Sequence, residues 1–142
     1  MGRFYETIMG VYFDDLDPYK ILHNARYLLL FERALGAFWM DLGYGGLQSV
    51  DHPENFHLVR HNEVDYLRPV KGICQVRVRV IIEKIGNSSL TFAFRLMPLD
   101  QDIDHARGRR TVVHVDPQSM QPAPWHQKFR QHIEQWVQGS NP

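Results

Sequence analysis

The chain has 142 residues, of which 44% are hydrophobic, 12% aromatic and 23% charged, with 16 basic and 16 acidic side chains. That is the length of one domain, residues 1–142, able to bury roughly two-thirds of its unfolded surface, so folding requires neither metal nor disulfide. A formal charge of zero and a pI near 7.1 argue against a general nucleic-acid binder, which needs a basic surface to displace counterions.

The single Cys74 excludes an intramolecular disulfide and lies in a strand-like run, where it reads as a small buried hydrophobe. The first eight residues lack the apolar core of a signal peptide, and no window approaches about 18 uninterrupted apolar residues. A reduced, cytoplasmic setting without membrane contact is therefore expected.

Residues 4–13 are rich in aromatic and β-branched side chains, broken by Gly10, and predict a first strand. It runs into an acidic turn, Asp14, Asp15 and Asp17, after which Pro18 stops strand pairing. From Asn24 or Ala25 to about Leu42 the chain predicts a helix, with Asn24 as N-cap and Gly43 as stop. Its charged positions are limited to Arg26, Glu32, Arg33 and Asp41, so it should be buried on most sides. Residues 43–54 read as a connector and candidate lid, with a short helical turn at 47–50.

Four strand-like runs follow, at 56–67, 74–84, 90–99 and 107–115, separated by turn-forming stretches at 68–72, 86–89 and 100–104. Val76-Arg-Val-Arg-Val80 alternates cleanly, which predicts one apolar face and one wet face carrying Arg77 and Arg79. Consecutive strands with short turns imply an antiparallel meander, and the long helix is the available cover for its apolar face. After three prolines in 117–124, Trp125, Phe129, Ile133 and Trp136 stand at helical spacing. They predict a C-terminal amphipathic helix within 124–138, packed on the body or on a partner, with a frayed tail at 139–142.

One strand, a buried helix and about five strands in all wrapped around it make an α+β arrangement of the hotdog type. Asp15-Leu-Asp17-Pro, followed by His23-Asn24-Ala-Arg-Tyr27 and Phe31-Glu32-Arg33-Ala34, resembles the signature of the 4-hydroxybenzoyl-CoA thioesterase-like acyl-CoA thioesterases. Val64-Asp-Tyr-Leu-Arg-Pro-Val70, Ile85-Gly-Asn-Ser-Ser-Leu-Thr-Phe92 and Ala106-Arg-Gly-Arg-Arg-Thr-Val-Val113 are similar to that family's phrases in the same order, over residues 8–124. The resemblance implies hydrolysis of an acyl-CoA, or of an acyl-carrier-protein thioester, without cofactor or metal. It also implies a homodimer or homotetramer, with Asp17 of one chain meeting turns of another.

Thioester hydrolysis needs a nucleophile, or a base that activates water, together with positive dipoles for the oxyanion. Ser88 and Ser89 lie in a turn without a Gly-x-Ser-x-Gly setting, and the one thiol is in a strand, which leaves a carboxylate. The resemblance assigns that role to Asp17, by direct attack or through water; a plain acidic turn capping the helix is the alternative. It also implies that the N–H at or near Asn24 holds the thioester oxygen, although Asn24 fits an ordinary N-cap as well. His23 is a candidate to donate a hydrogen bond or protonate the leaving thiolate, or a structural histidine. Tyr27 lies one turn on, for substrate contact or core packing, and Asp15 reads as a shaper of the turn.

Where relatives usually carry Gly about three residues after the catalytic Asp, this chain reads Asp17-Pro-Tyr19-Lys20. A Gly there often serves a positive φ, so Tyr19 and Lys20 bear on the loop and the space beside the acyl group. Lys20 is also a candidate to hold Asp17 as its anion. Glu32 could mimic the helix-borne carboxylate of other hotdog enzymes but also reads as half of a structural pair with Arg33. Glu63 and Asp65 belong on a solvent face, and His57 and His61 have zinc-like spacing without a third ligand in register. Coenzyme A phosphates call for basic residues, which Arg60, Arg68, Lys71, Arg77, Arg79, Lys84, Arg107, Arg109 and Arg110 supply. Lys84 with the Ser88-Ser89 turn is the candidate contact for pantetheine or phosphate. A different class of reading is a non-catalytic acyl-binding protein that docks a partner through residues 125–136.

Overall fold

A computed structural model describes residues 3–44 and 56–138. Residues 45–54 of the expected connector at 43–54, with the turn expected at 47–50, and the tail at 139–142 lie outside the described residues. Strand β1 spans Tyr5–Val11, and helix α1 spans Tyr27–Asp41. Four strands follow, β2 His57–Tyr66, β3 Cys74–Ile85, β4 Ser89–Pro98 and β5 Ala106–His114, and the last helix is α2, Gln127–Glu134. All five strands form one antiparallel sheet in the order β1-β3-β4-β5-β2.

Every expected strand is present within a residue or two of its bounds, except at the end of β1, where a 3-10 turn at Phe13–Asp15 replaces the last extended residues. The meander holds for β3, β4 and β5 only. β2 pairs with β5 at the far edge instead of with β3. Helix α1 lies across the concave face and delivers the chain to that edge. The stretch at 68–72 is consequently a crossover rather than a hairpin turn. It returns under the helix start, where Leu22 N–H donates to Val70 O at 2.9 Å and Ile21 bridges to Lys71.

Tyr27, Leu30, Phe31, Ala34, Leu35 and Phe38 recur at helical spacing and form the buried face of α1. They meet Val76, Val78, Val80, Phe92, Phe94 and Val112 of the sheet in one core. Phe31 stacks on Phe94 with ring centroids 4.8 Å apart. Burial of α1 is one-sided: Glu32, Arg33, Gly36 and Asp41 are exposed and so is Met40, at 71%. Gly43 ends the helix at φ +89, a conformation that suits glycine.

The convex face is the wet one. A transverse row runs Glu6, Arg79, Arg95, Arg107, Asp65 across all five strands, placing three arginines side by side. Carboxylates pair with the arginines of this face: Glu6 accepts from Arg77 and Arg79, Asp104 from Arg95 and Arg107, and Glu83 and Glu63 from Arg109. Asp104, in the loop before β5, is 4% exposed. Arg110 is the exception, turned toward the helix and buried, with Nε on Asn62 at 2.8 Å and Nη1 on Glu32 at 3.2 Å. The structural partner of Glu32 is therefore Arg110 and not its neighbour Arg33, because β5 brings that guanidinium under the helix.

At the other end of the sheet α2 closes the core. Phe129 and Ile133 are buried, Trp125 precedes the helix with Nε1 donating to Ser89 O at 2.9 Å, and Trp136 follows it against Phe38. The amphipathic tail thus packs on its own body. Among the described residues no helix is long and apolar enough to cross a membrane.

Candidate active site

The acidic turn, the start of the α1 segment and the crossover after β2 converge on a cleft of about 580 Å³. Asp17, Tyr19, Leu22, His23, Asn24 and Tyr27 line one wall, and Tyr66, Leu67, Arg68 and Pro69 line the other.

The three acids divide by geometry. Asp15 is 7% exposed, its Oδ2 accepts from Tyr12 N–H at 2.8 Å, and its carbonyl accepts from His23 N–H at 2.9 Å. It ties the strand end to the helix approach, the turn-shaping role expected of it. Asp14 is exposed and contributes its carbonyl to Arg26 Nη2 at 3.2 Å. Asp17 is half-buried, and its Oδ1 accepts from Tyr19 N–H at 2.8 Å and from Ile21 N–H at 3.4 Å. Its Oδ2 has no hydrogen-bond partner among the described residues, so the carboxylate is anchored by one oxygen and open at the other.

Lys20 adopts φ +64, the left-handed region, between a bond from its N–H to Asp17 O at 2.9 Å and one from Gly72 N–H to its carbonyl at 3.0 Å. The loop keeps a positive φ at the position where the resemblance leads one to expect Gly, and a lysine bears the strain. Among the described residues Lys20 forms no ion pair with Asp17; the carboxylate is held by amides. Tyr19 is 83% exposed at the cleft mouth.

The helix start departs from expectation in one respect. Its side-chain cap is His23, not Asn24: His23 Nδ1 accepts from Ala25 N–H at 3.0 Å, opening a 3-10 turn, Asn24–Arg26, that leads into α1. The histidine precedes the turn with extended backbone and reaches the second amide, the usual N-cap geometry. With Nδ1 accepting, the nitrogen of the ring left to donate is Nε2. Arg26 N–H is taken by His23 O at 2.9 Å, whereas the Asn24 N–H has no acceptor among the described residues. It is an unpaired amide at the positive end of a helix, in the same cleft as the open oxygen of Asp17.

Tyr27 is 4% exposed and packs edge-on to Tyr66 at 4.8 Å. Burial, with a smaller contribution from Tyr66, pushes its phenol above the ordinary tyrosine range. Lys84, Ser88 and Ser89 lie at the opposite end of the sheet, outside this cleft. The carbonyl of Ser88 accepts from His114 N–H and that of Ser89 from Trp125 Nε1. Arg77, Arg79, Arg107, Arg109 and Arg110 are engaged with carboxylates, while Arg68 lines the cleft and donates to Asp104 O at 3.0 Å.

His57 packs beside Trp39 and Trp125 on the helix side of β2, and His61 meets Glu63 on the wet side, so the two share no site. Among the described residues no group of His, Cys, Asp and Glu could hold a metal ion. Tyr66, Leu22 and Pro69 were not legible as cleft residues. The stretch around Tyr66 was family-like, but nothing in its pattern says that the strand's last residue meets the helix start.

A long helix rolled into one curved antiparallel sheet defines a hotdog protein. Residues 11–133 match the model of the thioesterase-like superfamily, and the chain belongs to that superfamily. Membership supports thioester hydrolysis as the general chemistry. No curated protein matches. Three solved structures show the likeness in fold. The PA5185 protein of Pseudomonas aeruginosa PAO1 is 22% identical, with 96% of this chain and 93% of that one covered, at a TM-score of 0.81. A 1,4-dihydroxy-2-naphthoyl-CoA thioesterase from Synechocystis is 15% identical over 92% and 96%, at 0.81. The SAV2348 protein of Staphylococcus aureus, solved in complex with CoA, is 14% identical over 100% and 89%, at 0.83.

Proposed function

We propose that the protein hydrolyses acyl-CoA thioesters to free acid and CoA, with Asp17 as nucleophile or general base and the Asn24 N–H as oxyanion donor. The observation that carries this reading is the pairing in one cleft of a carboxylate anchored by Oδ1 and open at Oδ2 with an amide that has no acceptor among the described residues. Attack by Oδ2 on the thioester carbon expels the CoA thiolate and leaves an acyl anhydride on Asp17, which water splits into acid and carboxylate. In the water route Asp17 accepts the proton of the attacking water, and that proton passes to the leaving thiolate. In both, the carbonyl oxygen gains charge where the helix start can hold it. His23, through its Nε2–H, is the candidate hydrogen-bond donor to the leaving sulfur, keeping its own proton. A thioesterase from Synechocystis and a CoA complex from Staphylococcus aureus with this fold support CoA as the thiol.

The reading extends to a homodimer. β2 is an edge strand with eight of its ten residues exposed, and unpaired edges favour association. Lys84, Ser88 and Ser89, remote from Asp17 in their own chain, would reach a CoA only from a second copy. Sedimentation equilibrium should give twice or four times the chain mass. A panel of aliphatic and aromatic acyl-CoAs, with free thiol followed over time, tests the chemistry. Wild type should release CoA from at least one, and Asp17→Asn should lose at least a hundredfold in kcat. Full activity of Asp17→Asn would remove Asp17 from the mechanism, whereas a panel without any hydrolysis would reject CoA and send the test to acyl-carrier-protein substrates.

A further inference from the structure

We propose that Tyr66 is a positioning residue: its phenol and the His23 ring clamp the Asn24–Ala25 peptide from its two sides and so aim the Asn24 N–H at the substrate oxygen. The inference rests on the reading of the cleft as a thioesterase site. The Tyr66 hydroxyl donates to Asn24 O at 3.2 Å, and Ala25 N–H donates to His23 Nδ1 at 3.0 Å. These are the two polar ends of a single peptide unit. Because that unit is planar, holding both its oxygen and its hydrogen leaves it no rotation about Asn24 ψ or Ala25 φ. The preceding unit, which carries the Asn24 N–H, is held by its own carbonyl, since His23 O accepts from Arg26 N–H at 2.9 Å. The free amide therefore projects from a turn restrained at three points.

A 3-10 turn of three residues gains from such outside support, because its own hydrogen bonds are poorly aligned. Tyr66 is well placed to give it. It is the last residue of β2, paired with Ala106, and the next two amides, Leu67 and Arg68, both donate to His105 O at 2.9 and 3.0 Å. Its ring is set edge-on against the buried Tyr27. The donor comes from the sheet, 42 positions from its acceptor. A peptide fixed before substrate arrives requires no reorganisation as charge develops on the thioester oxygen, the condition under which an oxyanion donor contributes most.

Tyr66→Phe removes the hydroxyl and keeps the ring and its contact with Tyr27. With the acyl-CoA the wild type cleaves best, kcat should fall about five- to tenfold, the effect of one neutral hydrogen bond, with KM within twofold. The thermal midpoint should fall by no more than about five degrees. Independently of turnover, the Asn24 and Ala25 amide resonances should shift and the Ala25 amide should exchange faster with solvent. An unchanged kcat, or a raised KM at constant kcat, would overturn the proposal, the latter by making Tyr66 a direct substrate contact. Unmoved Asn24 and Ala25 resonances would also overturn it, whether or not any thioester is hydrolysed. Resonances that move, in a protein whose wild type cleaves no CoA or carrier-protein thioester, would leave the clamp standing and reject the thioesterase reading.

Discussion

Replacing Lys20 by glycine should stabilise the protein, an unusual direction for a substitution beside a candidate catalytic carboxylate. Lys20 holds φ +64, where a Cβ crowds the following carbonyl at about 1–2 kcal/mol. Glycine relieves that strain but gives back about 0.5–1 kcal/mol through the greater freedom of its unfolded chain. The net gain is about 0.5–1 kcal/mol. The backbone bonds on either side, to Asp17 O and from Gly72 N–H, need no side chain and survive. For 142 residues the unfolding entropy is about 0.3 kcal/mol/K, so the melting midpoint should rise by about 2–3 °C. Differential scanning calorimetry reads this directly. Lys20→Val is the control of opposite sign, because a β-branched side chain fits the left-handed region worse, and its midpoint should fall by about 3–6 °C. Activity should remain within twofold in the glycine variant, since the anchors of Asp17 are the Tyr19 and Ile21 amides. A glycine variant that melts at or below the wild-type temperature would refute the assignment of strain to this residue.

Two further substitutions test the frame that holds the site. A Cβ on Gly108 would lie 2.5 Å from Cε2 of Phe31, a fully buried ring stacked on Phe94. Gly108→Ala should therefore lose about 1–2 kcal/mol in urea unfolding, and Phe31→Leu should be less harmful in that background than alone; strictly additive effects would show that the ring has room. Asp104→Asn should destabilise by about 2 kcal/mol, less than the loss of a fully buried pair because Arg107 keeps much of its solvent contact. Burial pushes the Asp104 carboxyl up, but the hydrogen bonds and charges of Arg95 and Arg107 outweigh it and hold the pKa below the usual value. Its stabilisation is then complete above about pH 4 and disappears as pH falls through the lowered folded value. Melting curves of wild type and Asp104→Asn should converge in that acid range; a constant gap would remove Asp104 as the source.

How far each part could be read in advance follows from the range of the force behind it. Alternation in Val76 to Val80 marks a wet and a dry face because side-chain direction in a strand has period two. The helical recurrence of Leu30, Ala34 and Phe38 marks a buried face for the equivalent reason. The site was half legible. Asp17 and the helix start stand close in sequence, so their nearness needs only a turn. His23 as cap was missed because histidine is not among the side chains that favour that position, and Asn24 beside it is.

Local periodicity and turn chemistry, then, determined five strands, a long helix and a carboxylate just before its start, since each depends on residues within a turn or two of one another; how much of the helix is buried they overstated. The tertiary structure decided what no local pattern records. It put β2 beside β5, carried the 68–72 stretch under the helix start, gave Glu32 the buried Arg110 as its partner, and set the Tyr66 hydroxyl on the Asn24 carbonyl. Those choices depend on which sheet edge the helix delivers the chain to, and that is set by packing over the whole core.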